Sequence, residues 1–303
     1  MDLLSLSDAE IILAFWLKQN VSCSDIAPLQ GGMIYNVFRL EFSAPPFSAV
    51  IKTDCESSSP GFEREINRLA YLKQHTRFPA PRPYCRAGPG ECMPFSFILM
   101  ESLPGFCMSA HCLSPADRCI FEEQLADILI DLHSHTRQTF GDIDLQPGYT
   151  EWQAIFVPKL FQLRQDLSTL LASDVLHTID QVLSSASSVF SSQGIPTLVH
   201  GDIWSGNIML VEKDGKTWIS GIVDAPAVQF ADPEYEMAYL EVFTTVSTPF
   251  FNTYTSVFPL RPGYELRKLY YWLHTWMLHV WLFNKPHYHK KTTETVCAIL
   301  SAL

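Results

Sequence analysis

The sequence predicts an α+β fold in two lobes, a small mainly β lobe with one crossing helix over residues 1–103 and a larger mainly helical lobe over residues 104–303. Three observations carry this prediction. Strand-like alternation crowds into the first third of the chain, a single amphipathic helix interrupts it, and beyond Leu103-Pro104-Gly105 apolar residues recur three or four apart. A chain of 303 residues is one large domain or two ordinary ones, since single hydrophobic cores stop growing at roughly 250–300 residues. Its composition, 47% hydrophobic and 17% charged with 20 Phe, 11 Tyr and 7 Trp, supplies the apolar area that packed cores need.

Taken in order, residues 8–19 read as a helix with Ile11, Ile12, Phe15 and Trp16 on one side. From about 26 to 53 the texture becomes β: Val37 to Phe42 alternates, Ala44-Pro45-Pro46 makes a loop, and Ser48 to Lys52 is the next strand. A polar stretch from Cys55 to Pro60 precedes a helix over 61–75, with Phe62, Ile66, Leu69 and Leu72 at helical spacing. After Pro79-Ala80-Pro81-Arg82-Pro83 come strand-like segments ending in Phe95 to Met100. The second lobe is read as helices over 115–135, 151–172, 174–191, 233–246 and 263–283.

Charge and cysteine usage exclude several classes. The net charge of −11, with basic residues scattered rather than striped, disfavours nucleic-acid binding. The surplus carboxylates would suit a cationic substrate or be plain solvated surface. Eight cysteines without a CxxC pair read as reduced thiols, hence a cytoplasmic protein. No signal-peptide pattern opens the chain, and the apolar run from Leu269 to Phe283 is broken by His274, Thr275 and His279. It falls short of the roughly 20 residues that span a bilayer, so no membrane segment is expected.

The stretch richest in chemistry is Leu198-Val199-His200-Gly201-Asp202-Ile203-Trp204-Ser205-Gly206-Asn207-Ile208. An Asp followed five positions later by an Asn has the spacing of the kinase catalytic loop. In that arrangement the Asp accepts the proton of an attacking hydroxyl and the Asn side-chain oxygen binds Mg²⁺. Seventeen residues further on, Asp224 ends the run Gly221-Ile222-Val223, a spacing that fits a hairpin returning beside Asn207 and makes Asp224 the main Mg²⁺ ligand. Either motif alone could be a turn or a helix cap. The pair at this spacing points to phosphoryl transfer from ATP, with residues 202, 207 and 224 converging in a cleft between the lobes.

Matching parts lie upstream. Gly31 and Gly32 sit between two strand candidates, where backbone N–H groups could approach phosphate, or where the pair is a hairpin turn. Ala49-Val50-Ile51-Lys52 matches the strand whose Lys contacts the α- and β-phosphates. The next helix offers Glu63 and Glu65, and Glu65 is the expected partner of Lys52. Met100-Glu101-Ser102-Leu103 follows the last strand of the first lobe, where Glu101 and Leu103 would offer hinge backbone to adenine.

On these residues the chain resembles the fructosamine kinase (ketosamine-3-kinase) family, relatives of aminoglycoside and choline phosphotransferases with a protein-kinase-like fold. His200-Gly201-Asp202-Ile203-Trp204-Ser205-Gly206-Asn207 is similar to that family's HGDLWSGN. Weaker similarity runs through Phe62 to Glu65, Leu125-Ala126, Leu132-His133, Phe140-Gly141, Trp152 and Tyr270 to His274. The resemblance implies Asp202 as catalytic base, Asn207 and Asp224 on Mg²⁺, Lys52 on the phosphates and paired with Glu65, and a sugar amine such as a ketosamine as acceptor. Trp204 and His274 would be acceptor-side residues, Trp204 as a wall for the sugar or as a core tryptophan. Three departures stand out: Tyr35 where the family's phosphate loop has Asn or Ser, Met33 where some members carry a redox-sensitive Cys, and Val223-Asp224-Ala225-Pro226-Ala227, Phe230-Ala231 and Glu236-Met237-Ala238 where the family has I-D-P-A, a Tyr-Gly pair and D-L-A. Two alternatives stay open here: another acceptor, such as an aminoglycoside or a choline-like alcohol, and a nucleotide-binding pseudokinase.

Overall fold

The computed structural model describes residues 4–29, 35–54 and 61–303. Along the chain run α1 (Leu6–Leu17), β1 (Cys23–Pro28), β2 (Asn36–Phe42), β3 (Ser48–Asp54), α2 (Gly61–His75), β4 (Pro83–Ala87), β5 (Ser96–Glu101), β6 (Phe106–Cys107) and α3 (Pro115–His133). They are followed by β7 (Gly141–Asp142), α4 (Gln153–Asp166), α5 (Ser173–Leu183), α6 (Ala186–Val189), β8 (Thr197–Val199), β9 (Ile208–Lys213), β10 (Lys216–Ile222) and β11 (Gln229–Ala231). The chain closes with α7 (Pro233–Val242), α8 (Thr248–Thr255), α9 (Tyr264–Phe283) and α10 (Pro286–Ala302). Two compact units result, one of Met1–Asp117 with Gly206–Pro226, the other of Arg118–Ser205 with Ala227–Leu303.

The first unit is built on a five-stranded antiparallel sheet of order β1-β2-β3-β5-β4. Helix α1 begins with a capping box: Ser5 Oγ accepts from Asp8 N–H at 3.1 Å, and Ser5 N–H donates to the Asp8 carboxylate at 3.0 Å. It buries Ala9, Ile12 and Leu13 in a core with Leu40, Ile51, Phe97 and Leu99. Each such aliphatic side chain contributes about 1.5–3 kcal/mol by leaving water. Helix α2 buries Phe62, Glu65, Leu69 and Leu72, which share one face, while Ile66 is only half-buried.

A second sheet of this unit has the order β10-β9-β6. Asp214 and Gly215, both at positive φ (54° and 70°), connect β9 to β10, as expected for an Asp-Gly hairpin turn. The register then pairs Ile208 with Ile222, and Val223 N–H donates to the Asn207 carbonyl at 2.9 Å. The open end of the hairpin therefore carries Asn207 on one arm and Asp224 on the other.

The second unit packs α4, α5, α7, α9 and α10 around a core rich in aromatics: Trp152, Phe156, Phe190, Tyr270 and Tyr271. The indole N–H of Trp152 donates to Tyr271 Oη at 3.0 Å, so a polar tip is satisfied inside the core. A small sheet of order β7-β11-β8 delivers the chain from Val199 into His200. Helix α7 is fixed at its start by Asp232, whose side chain caps Glu234 N–H and accepts from Arg261 at 2.7 Å. Arg267 closes this network on Glu234 at 2.6 Å, with both side chains buried.

Three readings of the sequence change. The single helix expected over 174–191 is two, because Ser184 and Ser185 turn their hydroxyls back to the carbonyls of Gln181 and Val182 and the chain bends. The helix expected over 233–246 ends at Val242, and the one over 151–172 ends at Asp166. Helices α8 and α10 have no counterpart in the sequence reading. Helix α10 presents mostly polar residues, and its buried face is Thr292, Thr295, Val296 and Ile299, with both threonines bonding back to carbonyls four residues earlier. Among the described residues no helix is long and apolar enough to cross a membrane.

Candidate active site

In the first unit, Lys52 lies at the centre of β3 between Val37 of β2 and Ile98 of β5. Its Nζ donates to Glu65 Oε1 at 2.6 Å and to Asp224 Oδ1 at 2.8 Å. The Lys52 and Glu65 side chains are 9% and 2% exposed, whereas Asp224 is 39% exposed. One carboxylate is thus a buried counter-ion and the other still reaches solvent. Burial alone would lower the Lys52 pKa, but the charges of Glu65 and Asp224 outweigh it and hold the ammonium above its ordinary value. Glu63 points outward instead, toward Arg86 at 3.3 Å.

Asp224 has φ of 65°. A left-handed conformation in a residue other than glycine costs on the order of 1–3 kcal/mol and persists where the surroundings impose it. Here Val223 is held by Asn207 and Asp224 by Lys52. Asn207 is buried at 6% exposure.

Glu101 accepts from Arg82 N–H at 2.9 Å, so its side chain secures the β4 edge. Leu103 packs against Gly221, where an added Cβ would come within 2.5 Å of the leucine and 2.6 Å of the Pro79 carbonyl. Gly31 and Gly32, with Met33, lie outside the described residues.

In the second unit, Gly201 has φ of 80°, and a Cβ there would sit 2.9 Å from both Ala227 Cβ and Ala227 O. Only glycine turns the chain here without strain, and the turn leads straight into Asp202. Glu236 of α7, fully buried, grips this turn: His200 N–H donates to its Oε2 at 3.0 Å and Gly201 N–H to its Oε1 at 2.7 Å. His133 Nε2 lies 3.0 Å from the same carboxylate and His133 Nδ1 2.6 Å from Tyr254 Oη. Burial would raise the Glu236 carboxyl, but the hydrogen bond from His133, the nearby His133 and His200 rings and the Gly201 N–H hold it below the usual carboxylate range.

Tyr239, one helical turn beyond Glu236, donates its hydroxyl to Asp202 Oδ1. Neither Glu236 nor Tyr239 stands out as a site residue in the sequence, since their partners lie 35 and 37 positions away and no local pattern links them. Trp204 is half-buried and rests against Phe243, ring centroids 6.1 Å apart. His274 is 8% exposed and packs on Phe156 and Tyr235 at 5.3 and 6.2 Å. Burial, with smaller contributions from Lys159 and His279, pushes its pKa down to about 3.

The groups present fit a magnesium nucleotide. Asp224 and Asn207 stand at one hairpin end, so their side-chain oxygens are the hard donors available there, and Lys52 is a fixed cation beside Asp224. No cluster of three His, Cys, Asp or Glu side chains that could hold a metal occurs among the described residues. Mg²⁺ needs none, because one or two carboxylates together with substrate phosphates and water complete its shell.

Comparison with known proteins bears on the fold and the family. The Klebsiella aerogenes "Probable ketoamine kinase" is 28% identical over 269 residues, 86% of this chain and 87% of that one. Escherichia coli YniA, named "Probable ketoamine kinase", is 26% identical over 269 residues with the same coverage of 86% and 87%. Among solved structures, a protein assigned as a fructosamine-3-kinase from Haemophilus somnus 129PT superposes with a TM-score of 0.74 at 21% identity, covering 96% of each chain. A thermostable mutant of the aminoglycoside phosphotransferase APH(4)-Ia, solved in a ternary complex with ADP and hygromycin B, gives a TM-score of 0.70 at 18% identity over 97% of this chain and 98% of that one. The fold is accordingly the α+β, protein-kinase-like one. The sequence profile of the fructosamine kinase family matches residues 9–302, and the chain is therefore a member of that family, a phosphotransferase of the kinase type.

Proposed function

We propose that the chain transfers the γ-phosphoryl group of ATP, with Mg²⁺, to a hydroxyl of a ketosamine. The observation that carries this reading is the Lys52–Glu65–Asp224 cluster, in which a cation and a half-exposed carboxylate from positions 172 residues apart meet at 2.8 Å. The family membership and the names of its relatives support the acceptor class.

Each residue has a role in this reading. Lys52, kept charged by its two carboxylates, neutralises phosphate oxygens, and Glu65 fixes its position. Asp224 and Asn207 hold the metal, which when bound draws charge from the phosphates. Glu101 and Leu103 mark the backbone that would receive adenine. Asp202 takes the proton of the acceptor hydroxyl as that oxygen bonds to the γ-phosphorus. The bond from this phosphorus to the β-phosphate oxygen breaks in the same transfer, and its electron pair leaves on ADP. Trp204, half-buried beside Phe243 in the unit that holds Asp202, offers an apolar face to the sugar. We assign nucleotide binding to the first unit and acceptor binding mainly to the second. The seven described cysteines are thiols, which suits a reducing cytoplasm.

The test is a panel of fructosamines, ribulosamines and aminoglycosides offered with MgATP, with ADP release and phosphate transfer both followed. Transfer to a ketosamine, lost in Asp202→Ala, supports the proposal. Transfer confined to aminoglycosides would replace the acceptor and keep the chemistry.

A further inference from the structure

We propose that Tyr239 is the positioning residue of the catalytic carboxylate, holding Asp202 by Oδ1 so that the proton of the acceptor hydroxyl goes to Oδ2. The inference rests on the proposed role of Asp202 as base. Its own footing is the way α7 holds the segment that enters the catalytic loop.

Two residues of that helix, three apart and hence on one face, grip the segment at successive points. Glu236 binds the backbone N–H groups of His200 and Gly201 at 3.0 and 2.7 Å. Tyr239 binds the side chain of the very next residue, donating to Asp202 Oδ1. Glu236 therefore fixes where the Asp202 backbone starts, and Tyr239 fixes where its carboxylate points. The helix is itself anchored by the buried network of Asp232, Glu234, Arg261 and Arg267, so the hold is taken from a rigid element.

The tyrosine is braced in turn. Its ring stands edge-on to Phe243, the residue that caps the C-terminus of α7, with centroids 5.0 Å apart and planes at 61°. A ring packed this way keeps the hydroxyl on one oxygen of the carboxylate. A hydroxyl donor on Oδ1 stabilises the ionised form, and it restricts the side-chain torsion of Asp202. The second oxygen, Oδ2, is the one we assign to accept the acceptor's proton during transfer. Tyr239 contributes no proton of its own to the balance: the hydroxyl that donates to Oδ1 keeps its hydrogen throughout.

A purely structural tyrosine and a positioning tyrosine differ in a double-mutant cycle on turnover. For Tyr239→Phe, kcat should fall about 10- to 50-fold, a part of the roughly 10²–10⁴-fold that a positioned general base supplies, while KM for ATP stays within a factor of about two. In the Asp202→Ala background, Tyr239→Phe should cost nothing further, because the residual transfer no longer uses the carboxylate. The melting temperature of each pair reports folding, and Tyr239→Leu, which also lacks the donor, should reproduce the Phe variant. Equal losses in both backgrounds would overturn the inference, as would unchanged or increased kcat in Tyr239→Phe, the latter marking the tyrosine as a block to be displaced. A native chain that transfers phosphate to no acceptor overturns the inference together with the proposed function. A native chain that transfers normally while Tyr239→Phe equals it overturns the inference alone.

Discussion

Replacing Glu236 by Gln removes one charge and almost no volume, and the structure allows the cost to be worked out donor by donor. The carboxylate receives His200 N–H and His133 on Oε2 and Gly201 N–H on Oε1. A glutamine has one oxygen and one NH₂. If its oxygen takes the Oε2 position, the NH₂ faces Gly201 N–H; if it takes the Oε1 position, the NH₂ faces His200 N–H. Either orientation strands one buried backbone donor, at about 1–3 kcal/mol. Loss of the charge weakens the bonds that survive, since charge-assisted hydrogen bonds are roughly twice as strong as neutral ones. A total of about 2–4 kcal/mol follows, against an overall stability of about 5–15 kcal/mol for native proteins. Because Gly201 precedes Asp202, the same change should lower kcat by about 10- to 100-fold, while ATP binding, which we assign to Lys52 and Asp224, changes little. Denaturant unfolding and steady-state kinetics on purified Glu236→Gln check both figures. Unchanged stability together with unchanged kcat would refute the claim that this carboxylate supports the catalytic turn.

Further outcomes are expected from the same contacts. Lys52→Met should abolish measurable transfer and also destabilise the chain by about 3–5 kcal/mol, because Glu65 is left as an unpaired buried charge; adding Glu65→Leu should restore the melting temperature without restoring transfer. The depressed folded-state pKa of Glu236 means that its contribution is complete above the unfolded carboxylate value of about 4.3 and is lost as pH falls through the folded value. Unfolding curves at descending pH should therefore show an acid-side loss that is reduced in Glu236→Gln. Gly201→Ala forces a left-handed alanine against Ala227, so a cost of at least about 1–2 kcal/mol and a sharp loss of kcat are expected from melting and turnover assays. Trp204→Ala should raise KM for a ketosamine more than KM for ATP, as measured with each substrate varied in turn.

How far the chain was legible depended on whether a feature was local. The strands holding Lys52, the helix of Glu65 and the hairpin between Asn207 and Asp224 are written in periodicity and spacing, and all are present in the structure. The choice between Glu63 and Glu65 could be argued because burial on α2 recurs at helical spacing, which sets Glu65 beside Lys52 and Glu63 toward Arg86. What could not be read were contacts made across long stretches of chain. Glu236 stands out in the sequence only as a departure from the family's D-L-A, and its 36-residue reach to His200 is not written in any local pattern. His274 sits in an aromatic run whose periodicity does not show that Phe156 and Tyr235 pack around it. The polar sequence of α10 hides a helix whose threonines satisfy themselves on its own carbonyls.

In the proposed function the chain moves phosphate from ATP to a ketosamine hydroxyl with Asp202 as the base. Phosphorus NMR of a reaction containing MgATP and a fructosamine tests it most directly. For the native chain a new phosphomonoester resonance should grow in step with ADP, and in Asp202→Asn it should be lost. A spectrum in which the ester forms equally fast with Asp202→Asn, or in which ATP persists unchanged with every ketosamine tried, would contradict it.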